Sequence, residues 1–244
     1  MHWIYLSPHF DDVALSCGSL VWQQAQAGDT VDIWTVCAGA PDPSQPISPF
    51  AQSLHERWGT GPASVAARRA EDIASCHVLG VAYRHLSVYD CIYRGDGAGH
   101  YYYASEESLN GPLHPDEAAQ AAQITQLNLA ALPPDLNLVC PLGLGNHVDH
   151  QLTRLAAEQS GRGLYYYADF PYVLRQPDQL QNLAQAGWQP ACTPLSLPAL
   201  TAWQDCVAAH ASQISTFWAD EAAMRSAIAA YAAQAWAVCL WQPG

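Results

Sequence analysis

The chain has 244 residues, half of them hydrophobic, and its 22 acidic against nine basic residues give a formal charge of −13. All nine basic residues are arginine, which excludes a P-loop lysine, a Schiff-base lysine and pyridoxal-phosphate chemistry. So acidic a balance also argues against nucleic acid as a partner, since phosphate binding needs clustered positive charge.

The length suits one α/β domain over residues 1–244. No apolar run approaches the ~18 residues of a membrane span, and Met1–Leu6 is too short and uncharged for a signal peptide. Eight cysteines are scattered without a Cys-x-x-Cys pair, mostly in apolar runs such as Asn137-Leu-Val-Cys140. They read as small buried hydrophobes, and the expected location is the reducing cytoplasm.

Trp3–Leu6 reads as a short buried strand ended by Ser7-Pro8, followed by a helix over Val13–Ala27 with helical spacing of apolar residues. Gly28-Asp29 turns the chain into a second strand, Val31–Val36, so the opening is a β-α-β unit with a right-handed crossover. Gly39–Pro62 is rich in Pro, Ser and Gly and reads as a long loop of the kind that borders active sites. A helix over Ala63–Leu79 closes at Gly80, and Arg84–Val88 suggests a strand before a loop holding Asp90, Tyr93, Arg94 and Tyr101–Tyr103. Pro115–Ala131 is helical, Leu136–Cys140 is a strand, His150–Gln159 a helix and Leu164–Tyr167 a strand. Further helices are expected over Asp178–Ala186, Pro198–Ser212 and Asp220–Ala235. Strands alternating with helices predict a mostly parallel, Rossmann-like sheet with helices on both faces.

Two stretches carry chemistry. Ser7-Pro-His9-Phe-Asp11-Asp12 follows the first strand, and Gly145-Asn-His147-Val-Asp149-His150 follows the strand ending at Cys140. In such sheets ligands bind beyond the carboxyl ends of strands, which is where both stretches fall. His9 and Asp12 bracket a tight turn and can converge on one ion, leaving Asp11 free as a base. Of His147 and His150, one can bind metal while the other serves as a donor oriented by Asp149, and spacing alone does not say which. Against these stand plainer readings: Asp11 or Asp12 could cap the following helix, and each motif alone is weak. No Gly-x-Ser-x-Gly elbow is present for a serine hydrolase.

The two stretches together resemble the PIG-L/LmbE-like family of zinc-dependent N-deacetylases. Arg68-Arg-Ala-Glu71, followed by Leu79-Gly80, is similar to that family's Arg-x-x-Glu helix, and the resemblance spans the first two-thirds of the chain. It implies Zn2+ held by His9, Asp12 and His150, Asp11 as general base, and His147 as oxyanion stabiliser tuned by Asp149. Arg68 is implied as a substrate contact, with an i,i+3 ion pair to Glu71 as the rival reading. Some members carry a helper tyrosine two residues before the non-ligand histidine; here that position is Gly145, so a helper would come from Tyr93, Tyr101 or Tyr172. Tyr93, Arg94, Asp169 and Tyr172 sit in stretches similar to those of one branch of the family and are the other substrate-contact candidates.

The expected activity is removal of an acetyl or other acyl group from the amide nitrogen of an amino sugar or sugar conjugate, a small-molecule partner, with homo-oligomerisation left open. The alternatives are a metal-dependent hydrolase of a non-sugar amide or phosphoester, and an inactive binding protein.

Overall fold

The computed structural model describes residues 1–176, 178–234 and 238–244. Strand β1 (His2–Ser7) buries Trp3, Ile4, Tyr5 and Leu6, the continuous apolar run that a central parallel strand covered on both faces requires. Helix α1 (Asp12–Gln26) returns the chain to β2 (Thr30–Thr35), paired in parallel with β1 from His2↔Thr30 to Ser7↔Thr35. Helices α2 (Pro49–Arg57) and α3 (Ser64–Leu79) precede the edge strand β3 (Ala82–His85). The short α4 (Glu106–Leu109) and α5 (Ala118–Ile124) lead to β4 (Asn137–Pro141), which takes the other side of β1. Helix α6 (Val148–Gln159) and β5 (Leu164–Tyr167) complete the parallel part. The rest comprises α7 (Asp178–Gln185), β6 (Gln189–Cys192), α8 (Leu197–Ala208), α9 (Ala211–Phe217), α10 (Glu221–Ala232) and β7 (Cys239–Gln242).

The strand order is β3-β2-β1-β4-β5-β7-β6. The chain winds outward from β1 to β2 in one direction and from β4 to β5 in the other. With right-handed crossovers, that reversal places α1 and α6 on opposite faces and opens a crevice between the carboxyl ends of β1 and β4. Both chemical stretches leave those two ends. On the α1 face, α8 approaches closely at Gly18, where a Cβ would meet Trp203 Cδ1 and Cys206 Sγ at 2.7 Å. The Trp203 indole N–H donates to Leu15 O at 3.0 Å, so this large core side chain is both buried and satisfied.

Several expectations change. The loop expected over Gly39–Pro62 contains α2, which starts at Pro49 behind Ser48, whose hydroxyl accepts the Ala51 N–H at 2.9 Å. The helix expected over Pro115–Ala131 opens as a 3-10 turn, Pro115–Glu117, and ends in a π turn, Thr125–Leu129. The helix expected over Pro198–Ser212 is two helices, broken at His210. The helix from Asp220 is described to Ala232, and its expected end at Ala235 lies outside the described residues.

Strands β6 and β7 were not foreseen; both pair antiparallel, β7 lying between β5 and β6. Gln189–Cys192 is largely exposed and contains Pro190, so it offers no apolar alternation to read. Cys192 and Cys239, aligned across these strands, form a disulfide, which corrects the reading of all eight cysteines as free buried hydrophobes. The other six are free and buried. A disulfide belongs to oxidising surroundings, so the cytoplasmic expectation loses the support it drew from free cysteines. Among the described residues no helix is long and apolar enough to cross a membrane.

Candidate active site

The first stretch turns tightly off β1. Ser7 Oγ accepts the Val13 N–H at 3.2 Å and donates to His9 O at 2.5 Å, so serine rather than an aspartate ties down the start of α1. Asp11 occupies the N-cap position yet makes no side-chain cap hydrogen bond. Asp12 Oδ2 accepts the His9 N–H at 2.7 Å, and this folds the His9 ring back toward the same carboxylate, with Nδ1 3.1 Å from Oδ2. The capping alternative for both aspartates is therefore not what the geometry holds.

The second stretch opens α6. His147 is its N-cap, and its Nδ1 accepts the Asp149 N–H at 3.2 Å. That bond puts the proton of a neutral His147 on Nε2. The Asp149 side chain does not reach back to His147. Its Oδ2 lies 2.8 Å from His9 Nε2 and accepts the Cys91 N–H at 3.0 Å, while Oδ1 accepts from the Arg94 guanidinium. Asp149 thus orients His9, where the resemblance implies tuning of His147; the backbone of one residue and the side chain of the same residue serve different histidines.

His150, one turn into α6, points its Nε2 at Asp12 Oδ1 from 3.2 Å, in a direction that makes no hydrogen bond. Its Nδ1 lies 2.6 Å from Asp169 Oδ1. Two imidazole nitrogens thus flank the two oxygens of Asp12, each imidazole backed through its other nitrogen by a buried carboxylate. An orphaned ring nitrogen and a second imidazole, one beside each oxygen of a buried carboxylate, form a donor set whose chemistry suits a divalent metal such as zinc. His9, His147 and His150 also offer nitrogens within 4.8 Å of one another, so all three imidazoles share one buried cluster.

Burial and charge set the protonation of this cluster. Burial alone would lower His150, but the Asp12 carboxylate overrides it and raises the imidazole to about 10. His9 is raised likewise against its burial, by Asp12, Asp90 and Asp149. Asp12, for which burial works the other way, is held well below the usual carboxylate range by His150 and His9. A metal bound here would displace these protons. His147 moves in the opposite direction: burial, then the charges of His9 and His150, push it down to about 3, so it is neutral at ordinary pH.

The description "GlcNAc-PI de-N-acetylase", PIG-L, belongs to a family model that matches residues 4–160 and so includes every one of these motif residues. The chain belongs to the PIG-L family. It is 31% identical over 202 residues to the 2′-N-acetylparomamine deacetylase of Niallia circulans, covering 76% of this chain and 71% of that protein. It is 28% identical to the enzyme of the same name from Streptomyces fradiae, over 70% of this chain and 57% of that protein. The solved structure of the zinc-inhibited form of the teicoplanin deacetylase Orf2 superposes with a TM-score of 0.78 at 25% identity, covering 99% of this chain and 97% of that one. The chain is accordingly a hydrolytic N-deacetylase.

Around the PIG-L motif residues the structure redistributes several expected contacts. Arg68 is buried, its guanidinium 3.4 Å from Asp11 Oδ1 and 3.5 Å from Asp90 Oδ2, and stacked on Trp58. Its expected rival partner, Glu71, instead accepts from Ser212 N and Oγ at 2.8 and 2.7 Å, anchoring α9. Arg94 is also buried and is consumed by Asp149 and Glu117, which gives this substrate-contact candidate a supporting position instead. Asp169, expected to contact substrate, is 1% exposed behind His150. Tyr93 Oη lies 2.5 Å from His55 Nε2, and Tyr101 Oη donates to Pro46 O at 2.7 Å. Tyr172 packs edge-on against His150, with ring centroids 5.6 Å apart, and its hydroxyl has no hydrogen-bond partner among the described residues. Its ring fills the space a side chain at Gly145 would take, since a Cβ there would lie 2.6 Å from Tyr172 Cδ1.

A cleft of about 1070 Å³ runs alongside, lined by Tyr89, Tyr93, Arg94, Tyr101 and Tyr102 among others, with no motif residue in its wall. Sequence reasoning gave no role to Asp90, named only as a loop residue, and did not single out Glu117. Each is a lone acid whose partner arginine is more than 20 positions away, and no local signal marks such a pair.

Proposed function

We propose that the protein removes an acetyl group from the amide nitrogen of an N-acetylated amino sugar or sugar conjugate, with zinc held by His9, Asp12 and His150. One observation carries the reading: His9 Nδ1 and His150 Nε2 face the two oxygens of Asp12 at 3.1 and 3.2 Å, while Asp11 and His147 stand beside them with chemistry to spare. The deacetylases of paromamine derivatives among the relatives support an amino sugar as the substrate class.

A divalent ion bound there supplies electrophilic assistance and makes water acidic enough to deprotonate near neutral pH. Asp11, held by Arg68 and free of capping duty, takes the proton of the attacking water. His147, neutral with its proton on Nε2, donates to the oxyanion that develops on the amide carbonyl. A protonated Asp11 or His147 then delivers the proton to the departing amine. Tyr172, whose ring packs against His150, is the tyrosine best placed to serve as a helper.

The test is metal analysis of the purified protein joined to free-amine release from a panel of N-acetylated amino sugars. The reading requires one zinc per chain and amine release that stops when the metal is chelated. Full amine release by a metal-stripped protein would overturn it.

A further inference from the structure

We propose that Asp169 is a positioning residue that sets how tightly the site holds its metal, so that a segment outside the family-matched residues governs the centre. This rests on the metal-site reading above. Asp169 lies two residues beyond β5, while the PIG-L match ends at residue 160. Its carboxylate is fully spoken for: Oδ1 is 2.6 Å from His150 Nδ1, and Oδ2 accepts the Leu144 N–H at 2.8 Å. Its backbone is pinned as well, since its carbonyl accepts the Val173 N–H at 2.9 Å and the next N–H, of Phe170, donates to Ser16 Oγ at 3.1 Å.

These bonds join three elements that the metal site needs in register. Ser16 is on α1, one turn after Asp12; Leu144 is in the loop that presents His147; His150 is on α6. By occupying Nδ1, Asp169 leaves Nε2 as the one nitrogen of His150 able to face Asp12, which fixes both tautomer and ring direction. The contrast with the other carboxylate–imidazole pair is informative. Asp149, behind His9, shares its charge with Arg94 and the Cys91 N–H, whereas no arginine pairs with Asp169 among the described residues. Each carboxylate accepts one backbone N–H, but only Asp149 also faces an arginine, so Asp169 leaves more of its charge to its histidine, and its loss weakens metal binding more than loss of Asp149's charge does.

The test uses the full chain and zinc itself, with affinity measured by competition against a chelator. Asp169→Asn keeps the shape and removes the charge; we expect zinc affinity to fall about 10- to 100-fold, more than for Asp149→Asn, and the added effect of Asp169→Asn to vanish once His150 is replaced by Ala. A purely structural role would leave the affinity of the folded variant where it was. Zinc affinity within twofold of the native chain, in folded Asp169→Asn protein, would overturn the inference while leaving the metal-site reading intact. A native chain that binds no zinc would overturn both. Should the variant not fold, nitrogen-resolved NMR of the native zinc-loaded protein decides: a protonated His150 Nδ1 supports the inference, and a metal-bound Nδ1 overturns it.

Discussion

Residues 4–160 and residues 161–244 contribute to the site in different ways. The first segment, which carries the family match, holds all six motif residues on the turns and helix starts that follow β1 and β4. The second holds none of them, yet it supplies Asp169 behind His150, Tyr172 against Gly145, and the side chains of Val207, His210, Phe217 and Trp218 that wall a small cavity at Asp11. Reacting groups can be delivered by local spacing, because a turn of three residues fixes where two side chains meet. Orientation needs a partner from behind, and that partner comes from wherever the fold brings one. The difference between the segments is therefore one between chemistry and aim.

The sharpest way to break this comparison is Asp11→Asn. Rate should fall by about 10²–10⁴ with zinc still bound, since the base is not among the proposed ligands. A kinetic assay coupled to metal analysis checks it, and undiminished amine release would remove Asp11 from its role.

Cutting the Cys192–Cys239 bond probes the second segment alone. The bond closes a loop of sequence separation 47, so Cys192→Ser should destabilise the chain by about 2–4 kcal/mol in chemical denaturation and leave zinc affinity unchanged. A large loss of affinity would mean that the bond also helps hold Asp169 in place behind His150.

Gly145→Ala tests the seam between the segments. Gly145 has φ +85°, and the new methyl would press on the Tyr172 ring, so about 1–3 kcal/mol of stability should be lost. Adding Tyr172→Ala should recover the packing part but not the backbone part, as read by thermal melts.

A last test is one of pH on the metal-free chain. His150 is raised from 6.5 to about 10, so its stabilising contribution is complete below 6.5 and drains away as pH climbs toward 10. Asp12 is lowered, so its contribution is present above its ordinary value of 3.8 and is lost as pH falls through its depressed one. The metal-free melting temperature should thus decline from pH 6.5 to 10, and zinc should suppress that decline. A flat profile would show that the buried cluster is not charged as described.

Much of this was legible in the residues. The apolar run Trp3–Leu6 and the turn Gly28-Asp29 announced β1 and β2, and the run ending at Cys140 announced β4. Less was legible in the second segment, where β6 is short, exposed and interrupted by Pro190, and where His210 breaks an unbroken helical pattern. Asp169 reads from sequence as a substrate contact, because a residue just past a strand reads as exposed until the packing of α1 and the Leu144 loop over it is known.

By itself the sequence determined which groups stand at the two strand ends, because strand length and turn chemistry are local matters. It did not determine which carboxylate would serve which histidine. Asp149 turns to His9 across 140 positions of sequence and Asp169 to His150 across 19, and both choices follow from burial: a carboxylate taken out of water must find a donor or cation, and only the assembled fold decides which one is within reach.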